Sequence, residues 1–556
     1  MPGKESLAHP RIIQMVWKSG KYLPERLSSW WATAGVVFLA VVFKVVLLIL
    51  EVYPFNSDEA IVALMARHSI NGNWSVFFYG QAYMGSLDAS LVALGFLLFG
   101  QKIWVIRLVQ LILFVGILLT SMELSRRLTG SRPASLVTGM LLAIPTVNIN
   151  LYTTVSLGGY GEALLIGNLL LLQSIDLGSQ RKNLRKFLLW GFLAGLGFWA
   201  FGLTLLYTIP GFLFWSIRFM SKGRIRNWVG AVSLCLVGFL IGAAPVLIWV
   251  LENSPAILIR ELLGSAIANT SNGGYWSMVA NHLLNLTLFG VTAAIGIRPP
   301  WNTDIFIWPF ATVVALFWIA VATQYIRMLR GKAGQTPTAQ LLGLVAVMLV
   351  LGFIFTPFGG DPSGRYFLPI TILGVVVASG LFIPEAKWLP TSLRWLLFTA
   401  VLAYQLATNL QVALASETGF TTQFDPIARV DHGYDDELIR FLSASGELRG
   451  YSNYWVAYPL AFKSHEQMIF VPRLPYHQDF RYTSRDNRYE PYNLMVEQSE
   501  RVAYITTNHP ELDDMIRTQF QMQGVGWREE TIGDYQVFYD LSRPISPEHI
   551  DERFMR

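Results

Sequence analysis

The stretch Asn56-Ser57-Asp58-Glu59-Ala60 sets two adjacent carboxylates at the end of an apolar run of about twenty residues. A carboxylate at that place can take a proton from a hydroxyl. The same residues can also start a helix, because Asn56 and Glu59 have the spacing of an N-cap and its third-position acid. A second candidate lies far away in the chain, where "GGDPSGRYFLPI" (359–370) carries Asp361, Arg365 and Tyr366 on a Gly/Pro-rich turn ahead of another apolar run. The planar fork of an arginine donates two hydrogen bonds at once, which suits a phosphate; a cation anchoring a helix entrance would need the same position. Charges near membrane depth are costly and each asks for a reason. Asp88, Lys102, Arg107, Glu162 in "GGYGEA" and Arg298 therefore join the set. Plain structural duties are open to some of them, Asp88 on a solvated face and Arg107 reaching for the interface. Lys44, near the middle of the first apolar run, reads as a structural charge shared with a neighbouring helix.

Other chemistries have little to stand on. The sequence contains no phosphate-loop motif, no zinc-protease motif and no serine-hydrolase elbow, and its eight histidines are dispersed. The single cysteine, Cys235, sits inside an apolar run, which removes a disulfide framework and a cysteine metal site. Two nearby acids could hold a divalent cation, although no spacing demands one. With 53% apolar and 14% charged residues, the chain reads as a polytopic membrane protein. Its pI near 9.1 comes from short basic clusters between apolar runs, a distribution that serves membrane topology and argues against nucleic acid.

Apolar runs long enough, or nearly so, to cross a bilayer begin near residues 32, 103, 133, 162, 187, 204, 228, 305, 339, 365 and 394. With the basic N-terminus inside, the inner loops of these eleven spans are "SRRLTGSR", "GSQRKNLRK", "RFMSKGRIR", "RMLRGK" and "PEAKWLPTSLR", and each is basic. The segment "YMGSLDASLVALGFLLFG" (83–100) would invert that order if it crossed, so it is expected to lie on, or dip into, the outer face. The first outer loop then runs from 53 to 102 with two short helices and holds Asp58, Glu59, Asp88 and Lys102. Residues 253–304 form a long outer loop. The expected organisation is a cytoplasmic segment at 1–31, a mainly α transmembrane domain at 32–415, and a soluble extracytoplasmic α/β domain at 416–556. In that last domain "ELIRFLSA", "RVAYITT", "ELDDMIRTQFQMQ" and "DYQVFYDL" read as alternating helices and strands.

Taken in order, several of these motifs resemble the GT-C fold, the polytopic glycosyltransferases that use polyprenyl-phosphate sugars, and within it the branch of the lipid A aminoarabinose transferase and the protein O-mannosyltransferases. They are "NSDEA" after the first span, "YGQAYMGSLDASLVALGFLLFG", the early arginine of "VIRLVQ", "SRRLTGSRPASLVTGMLLAIP", "GYGEALL" and "GRYFLP". The resemblance spans roughly 30–410. It implies Asp58 as catalytic base and puts Arg365 near the donor phosphate. This sequence departs from relatives in having "YMGSLD" where they carry Glu-Lys-Pro-Pro, and Glu162 where many have aspartate. The expected reaction is inverting transfer of a sugar from a polyprenyl-phosphate donor to a hydroxyl of a lipid, glycan or protein acceptor at the outer face of the inner (plasma) membrane. Asp58, assisted by Glu59, takes the proton, and Arg365, with Arg107 or Arg298, steadies the phosphate. A transporter or flippase of an anionic lipid or solute, and a silent scaffold of the same fold, are the competing readings.

Overall fold

The computed structural model describes residues 12–179, 184–221, 225–263, 274–415 and 425–555. Residues 1–11 of the expected N-terminal segment, parts of two inner basic loops (180–183 and 222–224) and the expected boundary at 416 lie outside them. Helices stand at all eleven positions anticipated from hydropathy. Among the described residues eight of them are long and apolar enough to cross a membrane by length and composition, and the chain is a multi-pass membrane protein. The other three fall outside that set for local reasons. Arg132–Ala143 has 12 residues and stops just before Pro145; at 1.5 Å per residue it is too short for a hydrocarbon core of about 30 Å. Leu184–Ala200 has 17 residues, and Tyr160–Ser179 carries Glu162 and Asp176 in its 20.

Lys44 finds its neighbour in the chain that follows Pro145. Its Nζ donates to Asn150 Oδ1 at 3.2 Å, Thr153 Oγ1 at 3.0 Å and Thr154 Oγ1 at 2.6 Å, and it sits over the Phe114 ring. A buried ammonium with three oxygens is a satisfied structural charge.

The first loop contains the two expected helices, Ser57–Ile70 and Leu87–Phe99, and a hairpin that hydropathy did not reveal, β1 (Phe77–Phe78) with β2 (Gln81–Gly85). The segment 83–100 therefore begins as a strand. Its helix buries Asp88, Val92 and Phe96 and leaves Leu94, Leu97 and Leu98 exposed, the pattern of a helix lying against a bilayer surface. The described residues of the expected outer loop, 253–263 and 274–304, include the helices Pro255–Leu262, Tyr275–Leu284 and Val291–Ala294.

The C-terminal α/β domain is built on five strands, β3 (Arg449–Ser452), β4 (Ile469–Pro472), β5 (Ala503–Thr507), β6 (Arg528–Ile532) and β7 (Tyr535–Tyr539), in the order β4-β3-β5-β7-β6. The pairs of β3 with β4 and β5 are parallel; β7 runs antiparallel to β5 and β6. The helix Tyr454–Lys463, which follows β3, packs on Ser57–Ile70. A polar clamp fixes this contact: His68 bridges Tyr79 Oη and Glu466 Oε1, both at 2.8 Å, Tyr492 Oη donates to Glu466 at 2.7 Å, and Arg67 Nη2 donates to the Phe462 carbonyl at 3.1 Å. Burial pushes the Glu466 carboxyl up, but His68, Tyr492 and Arg67 together hold it down at about 2. A depressed acid contributes stability above its unfolded pKa and loses it as pH falls. Thermal unfolding in detergent should therefore show stability declining from about pH 4.5 toward pH 2, and Glu466→Gln should flatten that slope.

Candidate functional site

Successive residues of a helix point about 100° apart, so Asp58 and Glu59 cannot share one surface. Asn56 caps the helix as its spacing predicted, its Oδ1 accepting from the Glu59 N–H at 3.1 Å. Glu59 turns inward and is fully buried. Arg107 holds it with a two-armed ion pair, Nε to Oε1 and Nη2 to Oε2, the latter at 2.6 Å, and also donates to the carbonyls of Tyr53 and Pro54. Asp58 is partly exposed and faces the C-terminal domain. Tyr454 Oη donates to its Oδ1 at 2.5 Å, and Ser57 Oγ donates to the Tyr454 carbonyl at 2.5 Å.

Asp88 and Glu162 meet in the layer behind Glu59. The turn at Gly158 and Gly159, both with φ above 70°, delivers the helix that starts at Tyr160. Asp88 accepts from Gln110 at 2.9 Å and from the Ser156 hydroxyl, and its carboxyl contacts that of Glu162. Both acids are buried, at 3% and 1% exposure, and burial holds Asp88 above the usual carboxylate range. Among the described residues no three His, Cys, Asp or Glu side chains converge. Asp88 and Glu162 offer two carboxylates where a divalent ion takes about six oxygens, and each already faces the other. The pair does not by itself fit a divalent ion.

Arg365 follows the turn at Gly364. Asp361 accepts from the Ser363 N–H at 2.7 Å and pairs with Arg365, whose guanidinium also lies 5.1 Å from the Tyr366 ring centroid. The Nε of Arg365 has no partner in the protein. The turn needs glycine at 364, where φ is 80° and a Cβ would lie 2.5 Å from that of Ala293. Arg298 is engaged by backbone carbonyls. Its guanidinium donates to the carbonyls of Pro299 (2.7 Å), Asn302 (2.9 Å), Phe289 (2.9 Å) and Pro362, so it braces this loop from behind; burial lowers it to about 10. Arg107 is likewise spent on Glu59, and Lys102 is an exposed residue ahead of the helix Ile103–Thr129.

Several tyrosines feel Asp58 and Arg365 together. The charges of both residues act on the hydroxyls of Tyr83 and Tyr152, and Arg365 also acts on Tyr160 and Tyr366. From Tyr83 and Tyr366 an apolar cavity of about 300 Å³ runs between the helices Leu205–Met220 and Thr336–Phe355, past Ile209, Met348 and Gly352.

Sequence reasoning missed the groups that the C-terminal domain brings to this space. Besides Tyr454 they are Arg488, 5.6 Å from the Tyr454 ring centroid, and Asp486. With the Gln81 amide turned to accept, Arg488 donates to it at 2.6 and 2.9 Å across the hairpin turn. Burial, opposed by Arg488 and aided by Asp58, pushes the Asp486 carboxyl to about 7. "SRDNRYE" is an ordinary charged surface stretch by composition, and no spacing tied it to residue 58.

The crystal structure of ArnT from Cupriavidus metallidurans bound to undecaprenyl phosphate matches this one at TM-score 0.57 and 12% identity, over 92% of this chain and 97% of that one. The chain has the GT-C fold. The archaeal oligosaccharyltransferase AglB from Archaeoglobus fulgidus, in complex with an inhibitory peptide and a dolichol-phosphate, matches the GT-C chain at TM-score 0.51 and 11% identity, over 92% of this chain and 74% of that one. The Archaeoglobus fulgidus oligosaccharyltransferase in complex with Zn and sulfate gives 0.51 and 12%, over 90% and 72%. The family model of dolichyl-phosphate-mannose-protein mannosyltransferase matches residues 87–249, under a third of the GT-C chain. No curated protein sequence matches it.

Proposed function

We propose that this GT-C chain is a membrane glycosyltransferase that moves a sugar from a polyprenyl-phosphate donor to an acceptor hydroxyl, with Asp58 as base. The observation that carries the reading is that Asp58 and Arg365, far apart in the sequence, both act on the hydroxyls of Tyr83 and Tyr152. The acceptor oxygen attacks the anomeric carbon while the bond from that carbon to the phosphate oxygen breaks. The bond's electron pair leaves with the polyprenyl phosphate, and the acceptor proton goes to Asp58. A single displacement inverts the anomeric centre. The donor is a phosphodiester and the leaving group a monoester, so negative charge builds on the phosphate, where the free Nε of Arg365 and the unpartnered hydroxyl of Tyr366 can meet it. The apolar cavity below Tyr83 and Tyr366 suits an isoprenoid tail that stays continuous with membrane lipid.

The reaction is assigned to the outer face of the inner membrane, with the N-terminus cytoplasmic, and the acceptor is a lipid, glycan or protein hydroxyl. The test is turnover of purified protein with radiolabelled undecaprenyl-phosphoryl pentoses and hexoses; donors bound but never consumed would turn the reading to transport or scaffolding. Arg365→Gln should keep the fold and weaken retention of undecaprenyl phosphate on the immobilised protein about tenfold or more, the loss of a charge-assisted pair. Unchanged retention would remove Arg365 from the phosphate.

A further inference from the structure

We propose that Tyr454 is a positioning residue for Asp58 and that, with Arg488, it makes the C-terminal domain a part of the catalytic centre. The inference rests on the reading of Asp58 as the base. It starts from the fact that Asp58's side-chain hydrogen bond comes from a residue 396 positions away. Tyr454 is gripped at two points, its hydroxyl on Asp58 and its carbonyl on Ser57, so the first turn of the helix Ser57–Ile70 and the start of Tyr454–Lys463 move as one unit. Asn453 caps the second helix by accepting from the Trp455 N–H at 2.9 Å, which fixes the backbone of Tyr454 between β3 and that helix.

Six ionisable groups face or act on this end of Asp58. Tyr454, Tyr476, Asp486 and Arg488 come from the C-terminal domain, Tyr83 from β2 and Tyr152 from the helix Val147–Tyr152. Arg488 is the cation among them, and it is tied on both sides: its backbone N–H donates to Tyr458 Oη at 2.6 Å and its guanidinium reaches Gln81 in the hairpin. A phenol donor and a guanidinium both favour the charged form of a carboxylate. Burial and the Asp58 charge keep the Tyr454 hydroxyl protonated, so it is the donor in this pair. A carboxylate held on one oxygen keeps the other free to face an acceptor proton.

The test uses full-length protein and the undecaprenyl-phosphoryl sugar that wild type consumes. Tyr454→Phe should lower kcat about tenfold with KM unchanged, the consequence of losing one hydrogen bond to a charged group that acts in the transition state. Arg488→Gln should lower kcat in the same way. Fluorotyrosine at 454, a donor of unchanged shape, should keep kcat near wild type, and this measurement remains open if Tyr454→Phe does not fold. Wild-type kcat in both Tyr454→Phe and Arg488→Gln, or a fluorotyrosine variant as slow as Tyr454→Phe, overturns the inference while leaving Asp58 in place. Transfer that survives in Asp58→Asn overturns instead the reading on which it rests.

Discussion

Replacing Asp58 with asparagine is expected to lower transfer by about a thousandfold, within the range that a positioned general base contributes, while thermal unfolding and retention of undecaprenyl phosphate stay as in wild type. The expectation of an intact fold is specific. Asn56, not Asp58, caps the helix, and an asparagine oxygen can still accept from Tyr454. Nearby acids offer no substitute base. Glu59 is fully buried and both its oxygens are held by Arg107, and Asp88 faces Glu162, Ser156 and Gln110. Turnover at wild-type rate in the variant would remove Asp58 from the reaction, whatever else the cavity does.

The second large effect concerns stability. Arg107→Leu should cost about 3–5 kcal/mol, the usual consequence of leaving one partner of a buried ion pair uncompensated. Glu59 would lose both arms of its partner and sit at 0% exposure. The carbonyls of Tyr53 and Pro54, which steer the chain from the first span into the helix Ser57–Ile70, would lose their donor as well. Glu59→Gln combined with Arg107→Leu should be less damaging than Arg107→Leu alone, because no buried charge is then left over. Unfolding of the three variants in one detergent gives the coupling energy. An additive double variant would mean that the pair does not act as a unit.

These two predictions separate residues that look alike in the sequence. Asp58 and Glu59 are neighbours of similar chemistry, and hydropathy gives both the same reason to be there. The helical turn of about 100° between them sends one to Tyr454 and the other to Arg107. In the same way Arg298 and Arg365 are both arginines near a Gly/Pro-rich turn, yet Arg298 is surrounded by backbone carbonyls and Arg365 keeps a free Nε.

Local order was legible where the signal is local. The apolar runs, the N-cap at Asn56, the helix along 87–99 and the α/β alternation after residue 430 follow from composition, periodicity and cap chemistry, all read within a window of a few residues. The hairpin at 77–85 escaped because its strands are two and five residues long, too short for alternation to register.

The sequence by itself determined that this chain is a polytopic membrane protein, that it resembles the GT-C fold, and that an acid after the first span and an arginine before a late one are the groups worth testing. The tertiary structure alone decided which acid is open, which arginine is free, and that Tyr454 and Arg488 stand beside Asp58. The physical reason is range. Hydropathy and capping act along the chain within one or two turns, whereas the hydrogen bond from Tyr454 to Asp58 joins residues 396 positions apart, and only the packing of one folded unit on another brings such residues within 3 Å.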